Sequence, residues 1–238
     1  MKISVCMASY NGSKYIGVQL ESILKQLGTD DELVIVDDAS IDNTVEIIRN
    51  FNDLRIKLYI NQFNIGVVPT FNRALLLTTG ELIFLSDQDD RWYDNKIHTV
   101  HNIFSTQPVD LIVHDAVVTK GGIIIIRSLF AFRNSSPNYA KNIISNTYTG
   151  CCMAFKREIL NKILPIPTKS GVFHDAWIGI LAKYYGYKVL FVNVPLIEYN
   201  RHDQNVSTFK RRNVIYILMD RFVFLLAMLK HISHSFLK

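Results

Sequence analysis

Cysteine is scarce in this 238-residue chain: Cys6, Cys151 and Cys152 are the only three, and two are adjacent. They support no disulfide framework, and a reducing compartment is the expected setting. No Gly-rich phosphate loop with its lysine occurs, and no Gly-x-Gly-x-x-Gly follows the first apolar run, so neither common nucleotide fingerprint applies. No apolar run reaches the ~18 residues of a membrane-spanning helix. The opening Met-Lys-Ile-Ser-Val holds too few apolar residues for a signal peptide before polar residues 9–12 arrive. Repeats, heptads, a glycine period and low-complexity tracts are also missing. With 49% hydrophobic residues, that excludes disordered, collagen-like and coiled-coil classes.

Charge of one sign is missing from most of the chain. The net charge is +5, yet residues 199–238 hold seven basic side chains (Arg201, Lys210, Arg211, Arg212, Arg221, Lys230, Lys238) against Asp203 and Asp220. The whole excess sits there and residues 1–198 are balanced. Whole-chain nucleic-acid binding is disfavoured, while an attachment surface near the C-terminus is not.

What is present is an alternation of strand and helix. Continuous apolar runs at 3–9, 33–36, 56–60 and 82–85 alternate with helical spacing over 13–27, 42–51 and 69–77. Strands that are apolar throughout imply an α/β fold with a mostly parallel, Rossmann-like central sheet covered by helices on both faces. The second half is less regular. Strands are expected at 111–113, 123–126, 148–155 and 189–192, helices at 157–163 and 175–185, and a polar loop at 133–142. One domain over 1–205 is followed by a basic, apolar, helical tail over 206–238.

Each of the first four strands ends in a polar cluster, at 9–12, 37–40, 61–66 and 86–90. Ligands of parallel sheets bind at those carboxyl ends, so the clusters describe one cleft. Asp37-Asp38 can accept hydrogen bonds from a base or ribose, or form an Asx turn or helix cap. Asp87-Gln88-Asp89-Asp90 places three repelling carboxylates together. That suits a hard divalent cation, Mg²⁺ or Mn²⁺, with a charged turn and a cap by Asp90 or Asp94 as the plainer reading. Asp175, opening a helix, is either a cap or a general base. Arg201 and His202 follow the late strand and can meet phosphates or metal.

Together these residues resemble the family 2 glycosyltransferases, inverting nucleotide-sugar enzymes of the GT-A fold. The matching segments are Ala8-Ser9-Tyr10-Asn11, Ile35-Val36-Asp37-Asp38-Ala39-Ser40, Asn64-Ile65-Gly66 with Asn72-Arg73-Ala74, and Leu85-Ser86-Asp87-Gln88-Asp89-Asp90-Arg91-Trp92. Thr149-Gly150-Cys151 and His174-Asp175-Ala176-Trp177 complete the set. The resemblance covers roughly residues 1–205, and the forms look most like bacterial O-antigen and capsule rhamnosyltransferases and glucosyltransferases. The stretch 199–206 is similar to a family Tyr-Arg-x-His-x-x-Asn-Val, with the arginine one place late, beside His202.

The resemblance implies a UDP- or dTDP-sugar donor held by Ala8, Ser9, Tyr10, Asp37 or Asp38, Asn64, Gly66, Arg73, Asp87, Gln88 and Arg201. It implies Mn²⁺ or Mg²⁺ on Asp89 and His202, Asp175 as catalytic base, and a glycan or lipid-linked acceptor near Thr149, Gly150, His174 and Trp177. A cytoplasmic enzyme at the inner face of the bacterial membrane, contacting it through the tail, is expected, with a homodimer possible. The tail packed on protein is the competing expectation. A non-catalytic nucleotide-sugar or glycan binding module and a sugar nucleotidyltransferase are the alternative functions.

Overall fold

A computed structural model describes residues 1–203, 205 and 213–235. Gln204, Val206, the triplet Lys210-Arg211-Arg212 and Lys238, all used above, lie outside the described residues. The first half runs β1 (Ile3–Ser9), α1 (Ile16–Leu24), β2 (Glu32–Asp37), α2 (Thr44–Asn50), β3 (Ile56–Ile60), α3 (Val67–Leu77) and β4 (Leu82–Ser86). The second half runs β5 (Arg91–Trp92), α4 (Lys96–Thr106), β6 (Leu111–Lys120), β7 (Ile123–Ile126), α5 (Leu129–Arg133), α6 (Tyr139–Ile144) and β8 (Met153–Lys156). It ends with α7 (Leu160–Ile163), α8 (His174–Tyr184), β9 (Val189–Asn200) and α9 (Val214–Ser235).

Among the described residues nine strands form one sheet in the order β3-β2-β1-β4-β8-β6-β9-β5, with β7 paired to β6. The four strands of the first half are parallel. β8 runs antiparallel to both neighbours, β4 and β6, while β6 and β9 are parallel. The chain builds outward from β1 through β2 to β3, then returns to place β4 on the other side of β1. The carboxyl ends of β1 and β4 therefore diverge at a switch point, where such sheets open a crevice.

Burial explains the apolar runs. β2 and β4 are buried at every residue, so neither shows the polar–apolar alternation of a half-exposed strand. In α1, Ile16, Leu20, Ile23 and Leu24 turn inward. In α3, Val68, Phe71, Ala74 and Leu75 do the same, the spacing of one helical face.

Several expectations are corrected. The strand expected at 148–155 is a 3-10 turn, Gly150–Cys152, followed by the shorter β8. The polar loop at 133–142 holds the end of α5 and most of α6, both capped by side chains, Ser128 to Ala131 N–H and Asn138 to Lys141 N–H. Short helices that owe their form to caps leave no hydrophobic period to detect. The helical tail expected over 206–238 is, where described, one helix, α9.

At the amino end of the sheet, opposite the crevice, Ser4 Oγ donates to Glu32 Oε1 at 2.6 Å and accepts from Gly80 N–H at 2.7 Å. Thr79 N–H adds 2.6 Å to the same carboxylate. Burial raises the Glu32 pKa, but these donors outweigh it and hold the carboxyl below its ordinary value. Gly80 lies so close to β1 that a Cβ would stand 2.6 Å from Ser4 N and 2.7 Å from Ile3 C, both backbone atoms that cannot swing aside. Gly80→Ala is expected to destabilise the fold by about 2 kcal/mol; urea unfolding reads this, and an unchanged midpoint would contradict it.

Candidate active site

The crevice between β1 and β4 is assembled by side chains that tie neighbouring loops together. Asp37, fully buried, accepts from Ser9 Oγ at 2.8 Å, Ser40 N–H at 2.8 Å and Ser40 Oγ at 2.7 Å. Asp38 accepts from Asn61 Nδ2 at 2.7 Å, Ile65 N–H at 2.9 Å and Gly66 N–H at 2.8 Å. Both carboxylates thus order loops: Asp37 makes the Asx-type turn, and Asp38 ties the loop after β3 and stands at the start of α3. Negative charge is favoured at a helix start. Gly66, at φ +92°, occupies a left-handed conformation there that a side chain would strain.

Arg73 reaches back from α3 to Ile60 O at 3.2 Å and to Asn61 Oδ1. Asn64 is exposed and Ala8 is half-buried. Tyr10, 43% exposed, stands at the rim. Gln88 grips the backbone of Tyr10 from both sides, Oε1 accepting from Tyr10 N–H at 2.9 Å and Nε2 donating to Tyr10 O at 2.9 Å. A Cβ on Gly12 would stand 2.2 Å from Gln88 Oε1, so glycine is what lets this clamp close. Gln88 zips the tip of β1 to the acidic turn after β4.

That turn carries the charge. Burial, then the charges of Asp89 and Asp175, raise the Asp87 pKa from 3.8 to about 7. Burial, then Asp89 and Asp87, raise Asp90 well above its ordinary value. Each unit is worth roughly 1.4 kcal/mol, so ionising this turn is costly. Asp90 accepts from Asn200 N–H at 3.1 Å through Oδ1, while its buried Oδ2 has no hydrogen-bond partner. It caps no helix: α4 begins after Asn95.

Asp89 turns the other way. Its Oδ2 meets His202 Nε2 at 2.8 Å and Asn205 Nδ2 at 2.9 Å, with His202 and Asp89 side chains each 14% exposed. Tyr15 stacks on the His202 imidazole at 4.3 Å between ring centres, fixing its orientation. The structure thus brings together Asp89 and His202, which stand 113 residues apart.

Two partners lie outside the sequence expectations. Lys96, fully buried at the start of α4, donates to Cys151 O at 2.9 Å and sits 3.8 Å over the Trp92 ring. Burial lowers its pKa to about 8, against the pull of the Asp90 and Asp87 carboxyls. Cys151 offers its sulfur within 4.8 Å of Asp87 and Asp90 oxygens. A neighbouring thiol and burial raise its pKa, so it stays a neutral thiol and no hard-cation ligand. A lysine opening a helix looks like a solvated residue in sequence, and only the fold turns it inward.

On the opposite wall α8 starts with His174 and Asp175. Phe173, not Asp175, occupies the cap position, and Asp175 Oδ1 accepts only from the adjacent Ala176 N–H, at 2.6 Å, among the bonds described. Its charge reaches Asp87. His174 stacks on Phe71 at 4.1 Å and packs against Gly150, where a Cβ would stand 2.7 Å from Nε2. Both its ring nitrogens lack hydrogen-bond partners, and burial lowers its pKa. Thr149 Oγ1 accepts from Arg133 Nη1 at 2.9 Å.

Trp177, expected at the acceptor side, is instead fully buried and donates Nε1–H to Ile163 O at 2.8 Å. Its position one turn into α8 turns it away from the mouth and into the core. Arg201 N–H donates to Thr119 O at 2.7 Å, and its guanidinium lies 6.0 Å from the Tyr199 ring centre.

A crevice at a switch point, with clustered carboxylates after β4 and a further carboxylate opening a helix across it, defines a sugar-nucleotide transferase type of site. The chain belongs to glycosyl transferase family 2, whose model matches residues 4–164. It is 30% identical over 215 residues to an uncharacterized glycosyltransferase of Nostoc sp., alr2836, covering 86% of this chain and 66% of the relative. It is 29% identical over 220 residues to the Escherichia coli UDP-Glc:alpha-D-GlcNAc-diphosphoundecaprenol beta-1,3-glucosyltransferase WfaP, covering 90% and 82%.

The fold is GT-A. S. aureus TarS 1–349 in complex with UDP-GlcNAc superposes with a TM-score of 0.75 at 21% identity, covering 92% of this chain and 64% of that one. Glucosyl-3-phosphoglycerate synthase from Mycobacterium tuberculosis, in complex with Mn²⁺ and UDP, does so at 0.61 and 16%, covering 97% and 79%. The chain thus spans about two thirds of the length of the Nostoc relative and of TarS 1–349.

The titration has a consequence for stability. A carboxyl whose folded pKa exceeds its unfolded one keeps its proton longer in the folded state, so its cost is absent near pH 4 and complete above about pH 7. Asp87→Asn is expected to match the parent in stability near pH 4 and to exceed it by on the order of a few kcal/mol at about pH 8 in chelator. Urea unfolding at the two pH values measures this; a pH-independent difference would contradict it.

Proposed function

We propose that this chain transfers a sugar, with inversion, from a UDP- or dTDP-sugar to a hydroxyl of a glycan or lipid-diphosphate acceptor in bacterial polysaccharide synthesis. The observation that carries the reading is the meeting of the acidic turn, Asp87 to Asp90, with Asp175 across the switch point. Asp175 has one local hydrogen bond described and lies within electrostatic reach of Asp87, as a base facing the donor must.

In this reading Tyr10 and Ala8 receive the base, Ser9 being buried against Asp37, and the loops ordered by Asp37, Asp38 and Arg73 shape the ribose end. Asp175 takes the acceptor proton as the hydroxyl oxygen bonds to the anomeric carbon. The bond from that carbon to the diphosphate breaks, and the electron pair leaves with the nucleoside diphosphate. One carboxylate suffices, unlike the pair a glycosidase uses, because the leaving group is already a stabilised anion. Thr149, Gly150 and His174 border the acceptor side.

The residues fit a divalent cation. An orphaned buried oxygen on Asp90 and a raised Asp87 mark uncompensated negative charge, and the donors are oxygens and an imidazole. Asp89 and His202 would hold Mn²⁺ or Mg²⁺, and the cation would neutralise charge on the diphosphate. Mn²⁺ and UDP in the Mycobacterium tuberculosis enzyme support this, and the diphosphoundecaprenol acceptor in the name of WfaP supports a lipid diphosphate.

Asp175→Asn is expected to lower kcat by about 10³ while nucleoside diphosphate affinity stays within about twofold. Turnover is followed as nucleoside diphosphate released from a panel of sugar nucleotides. Parental rates in the variant would remove the base assignment. Release of pyrophosphate instead would indicate a nucleotidyltransferase, and binding with no turnover a binding module. Chelator is expected to abolish transfer and Mn²⁺ to restore it; full activity in chelator would contradict the cation reading.

A further inference from the structure

α9 is held to the domain by one side only. Phe224, Ala227 and Met228 are buried, and Phe224 meets the Trp177 ring edge-on at 5.7 Å. His231 lies 5.3 Å from the same indole and contacts Lys162 O at 2.7 Å through Nε2. Asp220 packs on Gly171, where a Cβ would stand 2.8 Å from its Oδ1. The opposite side presents Ile215, Leu218, Phe222 and Leu229, each 63% or 64% exposed, with Met219 and Leu226 between them. At 100° per residue these six fall on one stripe about four turns long. Monomeric proteins rarely leave such a stripe in water, and no described helix is long and apolar enough to cross a membrane.

Charge points to the occupant. The only acidic residue in 213–238 is Asp220, and it faces the domain. Exposed Lys230 borders the stripe at one end, and the triplet Lys210-Arg211-Arg212 precedes the helix in sequence at the other. A second copy paired on this face would bring up no acid to offset Lys230, since Asp220 faces the domain. A surface of anionic lipid satisfies both features, taking the apolar stripe below the headgroups and the cations among the phosphates.

We infer that α9 lies in the interface of an anionic phospholipid membrane through its Ile215–Leu218–Phe222–Leu229 stripe. The orientation follows from the packing. α9 rests on Trp177 of α8, the helix that opens with Asp175, so the bilayer lies along the wall carrying the candidate base. The docking itself stands apart from the transfer chemistry; only its purpose, to meet a lipid-linked acceptor, rests on the proposed function.

Flotation of the full chain with vesicles of phosphatidylglycerol and phosphatidylethanolamine, and with phosphatidylcholine vesicles, tests it. Binding is expected to favour the anionic vesicles by about tenfold or more. The double variant Leu218→Glu/Phe222→Glu is expected to lose about tenfold or more of it, with melting temperature and nucleoside diphosphate affinity unchanged. Lys230→Glu is expected to lose about fivefold on anionic vesicles only. Equal binding of parent and double variant overturns the inference, as does equal binding to both vesicle types. A parental dimer that binds no vesicles and becomes a monomer in the double variant assigns the stripe to a second copy. Because neither Glu substitution touches the crevice, loss of vesicle binding with transfer to a soluble acceptor retained separates this inference from the proposed chemistry.

Discussion

The rest of the site depends on the crowding of negative charge where β1 and β4 diverge. Asp87, Asp89 and Asp90 occupy three of four consecutive positions, and Asp175 arrives from across the crevice. Left alone, such a group would protonate or push the turn apart. Buried Lys96 places a cation behind it, steadied by the Trp92 face and Cys151 O, and the Gln88 clamp prevents the turn from relaxing outward. The compensation is incomplete, as the raised Asp87 and the orphaned Asp90 oxygen record. A residual deficit of positive charge is what the proposed cation would meet.

Around this turn the polar residues divide into those that build the crevice and those that remain available. Asp37 and Asp38 are occupied with loop donors and shape the nucleotide end without offering it an unencumbered carboxylate. Asp175, with one local hydrogen bond described, is less encumbered, while Asp89 is paired with His202 and Asn205. The arrangement separates a rigid scaffold from a small reactive set, which keeps the geometry fixed while protons and charge move.

Much of this was legible in the sequence because strand ends carry their chemistry in consecutive letters. Continuous apolar runs ending in Ser9, Asp37, Asn61 and Ser86 located the crevice, and Asp89 with His202 was anticipated through motif order rather than proximity. Roles were less legible than positions. Gln88 and Trp177 sit inside recognisable segments, yet one clamps backbone and the other fills the core, because side-chain direction depends on turns the pattern does not encode. Lys96 was invisible for a similar reason: nothing in its neighbours announces burial. The short helices at Leu129–Arg133 and Tyr139–Ile144 depend on single caps, and so leave no period to read. The tail was expected either to pack on the domain or to meet a membrane; α9 does the first with one face and leaves the other apolar and outward.

The central claim is that this carboxylate cluster is built around a missing positive charge, and calorimetric titration of Mn²⁺ in the presence of nucleoside diphosphate tests it most directly. Run in buffers of different ionisation enthalpy, the account predicts saturable binding that releases protons near pH 6, as the cation displaces those held by the turn. Asp89→Asn should weaken that binding strongly. Affinity equal in parent and variant, or binding with no proton release near pH 6, would contradict the account.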